Sequence, residues 1–127
     1  MLTKIALVMI GGSLGALCRY GMGLMAAGLW GAGFPWGTLM ANLTGCFLIG
    51  VSFALAERTS LLGPAARLFF MTGFLGALTT FSTYALETVN SIRSEAPIVA
   101  LTNVAVNNVT GILLVLAGIW LVRFLRP

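Results

Sequence analysis

Thr72-Gly-Phe-Leu-Gly76-Ala-Leu-Thr79-Thr80-Phe81-Ser82-Thr83-Tyr84 is an apolar run that turns polar at its centre. Four of the five residues from Thr79 to Thr83 carry hydroxyls, and Gly73 and Gly76 precede them. Glycine and β-branched threonine weaken a helix, and Ser/Thr side chains compete for its backbone bonds. Two readings follow from the chemistry. One is a continuous helix with hydroxyls bonded back to the i−4 carbonyls. The other is a helix that breaks here, which at membrane depth survives only where the backbone is buried in protein or lines a cavity.

Membrane depth is the right frame because of what surrounds this stretch. The chain has 127 residues, 59% hydrophobic and 8% charged, with a mean hydropathy of +1.03. A soluble domain carries about a quarter charged residues to hydrate its surface. Apolar runs cover about 5–29, 36–56, 68–92 and 98–122, each long enough for a helical crossing of about 20 residues. Their breaks are Gly31-Ala-Gly-Phe-Pro35, Glu57-Arg58 through Gly63-Pro64 to Arg67, and Arg93-Ser-Glu95-Ala-Pro97. Trp30, Trp36 and Trp120 fall near span ends, where amphipathic rings suit the interface. The expectation is an all-α integral membrane protein, residues 1–127 forming one domain of four transmembrane helices. Lys4 followed by an apolar run imitates a signal peptide, but the run is too long and contains Arg19.

The composition excludes most enzymes. Asp and His are absent, so there is no conventional triad and no His-based metal centre, and the three glutamates, spread over the chain, make no obvious acid/base pair. Cys18 and Cys46 lie in separate apolar runs and read as small buried hydrophobes. The net charge of +4 is membrane-flanking arginine, not a nucleic-acid face, since no basic cluster with aromatics appears. Lys4, Arg58, Arg67, Arg123 and Arg126 fall on one side of four spans, Arg93 and Arg19 on the other. That distribution favours cytoplasmic termini, by a margin small enough for dual insertion.

The spans carry more than an anchor needs. Gly11 with Gly15, and Gly37 with Ala41 and Gly45, form small-residue stripes that let helix backbones approach closely, within a subunit or between subunits. Asn42 lies inside the second span. Asn103, Asn107 and Gly111 recur at i, i+4 and i+8 in the fourth, with Asn108 and Thr110 beside them. One intramembrane Asn is often interhelical glue, but a stack of amides reads as the lining of a pathway. Phe81 and Tyr84 share a helix face, either as core or with their positive ring edges turned toward an anion. Arg19 and Glu87 are the intramembrane charges.

Three segments taken together resemble the Fluc (CrcB) fluoride channels: Gly11-Gly-Ser-Leu-Gly15-Ala-Leu-Cys-Arg19-Tyr20, Gly37-Thr-Leu-Met-Ala-Asn42-Leu-Thr-Gly45, and Gly73-Phe-Leu-Gly76-Ala-Leu-Thr79-Thr80-Phe81-Ser82-Thr83. The resemblance spans nearly the whole chain and implies a fluoride-selective channel in the plasma (inner) membrane of a prokaryote. It implies an antiparallel, dual-topology homodimer with two anion pores and a broken third helix. A central structural sodium ion would be held by backbone carbonyls of Gly76 and Thr79. The anion pathway would involve Asn42, Phe81, Tyr84, Asn107, Ser82, Thr83, Thr110 and Arg19. The resemblance decides for the broken third span. Three departures stand out: Tyr84 replaces the usual second Phe, Ala77 replaces a glycine, and Thr110-Gly111 stands where relatives often have Gly-Ser. A proton-coupled small multidrug exporter, also built from four spans, needs a central glutamate typically in the first span, where this chain has Arg19.

Overall fold

A computed structural model gives the fold of residues 1–58 and 61–125. Four helices are long and apolar enough to cross a membrane: α1 (Leu2–Trp30), α2 (Trp36–Arg58), α3 (Pro64–Arg93) and α4 (Pro97–Leu125). Pro64 and Pro97 open α3 and α4, positions where a missing N–H leaves no helical bond unmade. Gly31 ends α1 at φ 71°, a left-handed conformation that costs glycine nothing. Glu95 takes the same region at φ 57° in the α3–α4 turn, where Ala96 N–H donates to the Ser91 carbonyl at 2.9 Å. Arg67 ties the α2–α3 connection, its guanidinium donating to the carbonyls of Ala56 (2.7 Å) and Leu62 (2.8 Å). Arg126 lies outside the described residues.

The interior is small and the surface large, the reverse of a soluble protein. Ala41, Ala54, Gly45 and Gly50 of α2 are buried, whereas Met9, Leu17, Leu101 and Ile112 stand outward. In lipid an exposed leucine loses nothing, so association depends on close contact between backbones. That contact is extreme between α1 and the first half of α3. A Cβ on Gly11 would collide with the Phe69 carbonyl, and one on Gly15 with the Phe74 carbonyl. A second seam joins α2 to the C-terminal half of α4, where Gly118 faces the Phe47 carbonyl and Gly50 that of Val115. The small-residue stripes thus serve packing within the subunit. Gly15→Ala is expected to destabilise the protein by about 3 kcal/mol, the upper range for overpacking, because the obstructing atom is backbone. Thermal unfolding in detergent checks this, with Gly21→Ala as control, since a Cβ at Gly21 meets nothing within 4 Å.

Two stretches depart from α-geometry in ways hydropathy does not announce. Residues Arg67–Leu75 and Val106–Thr110 are π-helical, with i→i+5 bonds. Between Leu78 and Phe81 α3 is interrupted altogether. Thr79 (φ −81°, ψ 153°) and Thr80 (φ −149°, ψ 121°) are extended, and the helix restarts at Phe81. The first half of α3 packs on α1, and the second half on the beginning of α4.

Candidate anion pathway at the interrupted helix

The interruption is held open by one side chain. Asn42 of α2 accepts from the Thr80 N–H through Oδ1 (2.8 Å) and donates from Nδ2 to the Thr80 carbonyl (3.2 Å). A side-chain amide thus pairs with one residue's backbone as a neighbouring strand would. Gly45, one turn along, lets α2 approach, since a Cβ there would meet the Thr79 methyl. Thr80 then caps the restarted helix: the Thr83 N–H donates to Thr80 Oγ1 at 3.2 Å, and Oγ1 donates to Thr83 Oγ1 at 3.1 Å.

The break leaves the carbonyls of Gly76, Ala77, Leu78 and Thr79 without their helical donors, and these bonds show where two of those donors go. In an unbroken helix the Gly76 carbonyl would accept from the Thr80 N–H, and the Thr79 carbonyl from the Thr83 N–H. The first donor goes to Asn42 and the second to Thr80 Oγ1. The Leu75 carbonyl, one residue earlier, keeps the Thr79 N–H at 3.1 Å. Gly76 and Thr79 both line a cavity of about 400 Å³. They are the two residues named above for a sodium ion, and carbonyl oxygens are what a hard monovalent cation needs. The donor set therefore fits.

From Asn42 an ordered chain of hydrogen bonds runs across three helices. Asn42 Nδ2 donates to Asn107 Oδ1 (3.0 Å), and Asn107 Nδ2 donates to Asn103 Oδ1 (2.8 Å) and to the Asn103 carbonyl (3.1 Å). Asn103, fully buried, donates to Thr88 Oγ1 (2.9 Å), which donates to the Tyr84 carbonyl (2.9 Å). Asn108 Nδ2 donates to Tyr84 Oη (3.0 Å) and to the Val104 carbonyl (2.8 Å). The amide stripe of α4 faces protein, as the spacing predicts. Thr88 was not legible as a member: a lone threonine near a span end gives no signal until Asn103 is placed beside it.

The cavity gathers Asn42, Phe81, Tyr84 and Asn107 with Gly76, Thr79, Thr80, Cys46 and Asn108. Phe81 and Tyr84 meet at a ring-centroid distance of 5.6 Å, Tyr84 buried and Phe81 78% exposed. Ser82, Thr83, Thr110 and Arg19 do not line it. Ser82 and Thr83 stand beside the capping hydroxyl of Thr80, and Arg19 is half-buried on α1. Glu87 borders the second cavity, of about 380 Å³, where Thr38 Oγ1 donates to its Oε1 at 2.7 Å.

Four membrane-crossing helices, the third broken and facing a largely apolar cavity that holds a few amide and hydroxyl groups, define a multi-pass membrane protein built around an interrupted helix. The family profile described as "CrcB-like protein, Camphor Resistance (CrcB)" matches residues 6–119. A "Fluoride-specific ion channel FluC" of Salinibacter ruber is 48% identical over 124 residues, 96% of this chain and 91% of the relative. A protein of the same name from Leptospira interrogans is 37% identical over 94% of both chains, and one from Trichormus variabilis 44% identical over 91% of this chain and 85% of the relative. The chain belongs to the CrcB family, whose relatives here are named as ion channels and not as enzymes.

Proposed function

We propose that this protein is a fluoride-selective channel that lets fluoride leave the cytoplasm passively, in the inner membrane of a prokaryote. The observation that carries the reading is the break at Thr79 and Thr80, considered with the names of the relatives. The C-terminal end of one half-helix and the N-terminal end of the next meet there. The first presents partial negative charge and carbonyls, suited to a cation, and the second partial positive charge, suited to an anion. Gly76 and Thr79 would hold a sodium ion, which supplies fixed positive charge near the anion path. Asn42, Phe81, Tyr84 and Asn107 would line that path, with Ser82, Thr83 and Thr110 further along and Arg19 toward an entrance.

Phe81 supports assembly from two copies. It lines the cavity yet is 78% exposed, so the wall is incomplete in one subunit, and lipid cannot solvate the amide and hydroxyl groups within it. An antiparallel partner would complete two such pathways. Fluoride binds water so strongly that a dry pathway must replace its hydration by donors. The absence of a carboxylate or imidazole from this cavity suits passive conduction over proton coupling.

Liposomes holding only the purified protein test the reading. Fluoride loaded inside, a potassium ionophore to cancel the opposing potential and an external fluoride electrode give the rate. Fast fluoride release with little release from chloride-loaded vesicles is the expected result. No fluoride release from folded, dimeric protein would refute a self-sufficient channel.

A further inference from the structure

We propose that the Tyr84 phenol is the side-chain donor that sets fluoride affinity in the cavity, and that Asn108 positions it. The proposal rests on the fluoride-channel reading above, and it comes from a census of donors. Asn42 directs its amide hydrogens to Thr80 and Asn107, and Asn107 directs its own to Asn103. Thr79 Oγ1 donates to the Leu75 carbonyl and Thr80 Oγ1 to Thr83. Asn108 donates to Tyr84 and to Val104. Each of these donors is already engaged. Among the described residues lining the cavity, the Tyr84 O–H is the one side-chain hydroxyl or amide hydrogen with no acceptor; beside it stand the backbone N–H of Phe81, at the start of the restarted helix, and the weakly donating thiol of Cys46.

The direction of the Asn108–Tyr84 bond is fixed by a third atom. The nitrogen that lies 3.0 Å from Tyr84 Oη also lies 2.8 Å from the Val104 carbonyl oxygen. An amide oxygen in that place would face a carbonyl oxygen, so the group is the NH₂ and the phenol must accept. Accepting there occupies a lone pair of Tyr84 and leaves its proton for another acceptor. The ring is 9% exposed and leans on Phe81, which holds the hydroxyl in place. A desolvated anion is the natural acceptor, and a hydrogen bond to a charged acceptor is about twice as strong as a neutral one. Asn42 and Asn107 would have to give up existing bonds before donating; Tyr84 gives up none.

The test is fluoride efflux from liposomes as a function of fluoride concentration, for the wild type, Tyr84→Phe, Asn108→Ala and the double variant. Tyr84→Phe keeps the ring and is expected to raise the half-saturating fluoride concentration about tenfold, the worth of one charge-assisted hydrogen bond. The maximal rate should change by less. Asn108→Ala frees the phenol to turn and should raise half-saturation about threefold, and the double variant should resemble Tyr84→Phe rather than the product of the two. A lowered maximal rate with unmoved half-saturation in Tyr84→Phe would show a packing role and overturn the proposal. Should that variant fail to fold, an unmoved half-saturation in Asn108→Ala overturns it instead. Loss of flux in the wild type itself would count against the channel reading, so the two failures are separable.

Discussion

Asn42→Ala is expected to cut fluoride efflux on the order of a hundredfold, because it removes both bonds that hold the interruption open. Each part-buried backbone group left unpaired at Thr80 costs about 1–3 kcal/mol. The cheapest repair is for the Thr80 N–H to return to the Gly76 carbonyl, which rebuilds the helix and withdraws an oxygen from the proposed sodium site. Asn107 loses its donor in the same step. Initial efflux rates from liposomes check this, with size-exclusion profiles confirming assembly. Efflux within about twofold of wild type, less than the worth of one hydrogen bond, would mean the break stands without its amide clamp.

Phe81→Ile should lower fluoride efflux at least tenfold while leaving the proposed dimer intact. The ring is exposed in a single subunit and touches Tyr84, so its loss leaves little of the fold unsupported. An aliphatic replacement has no positive edge to offer an anion. An edge-on contact of about 1.4 kcal/mol corresponds to tenfold. The same efflux measurement, beside a cross-linking assay for the dimer, reads both parts. Normal efflux from the Phe81→Ile dimer would move the pathway away from the break.

Part of this arrangement could be read from the residues. Hydropathy and punctuation placed four helices because lipid leaves so few alternatives, whereas the composition from Gly76 to Thr83 suited a continuous helix as well as a broken one, and only the resemblance to a family chose the break. What the sequence could not say is which donors were free. Asn42 and Thr80 are 38 positions apart, and the bond between them turns Asn42 from an available donor into a clamp. The spacing of Asn103 and Asn107 located the amides on one face, but their mutual engagement depends on α2 and α3 as well as α4. The π-helical turns were silent for a related reason. A turn widened by one residue shifts the facing of side chains without changing the average apolarity by which a span is recognised.

The seam between α1 and the first half of α3 has a mechanical consequence. Where Gly11 and Gly15 lie on the carbonyls of Phe69 and Phe74, no side chain of either glycine intervenes, so there are no rotamers to rearrange and little to compress. The two segments must travel as one lever. The second half of α3 is instead joined to α4 through side chains, Asn103 on Thr88 and Asn108 on Tyr84, whose torsions can yield. Any flexing of the protein is thereby concentrated on two extended threonines, with a stiff arm on one side and a compliant one on the other.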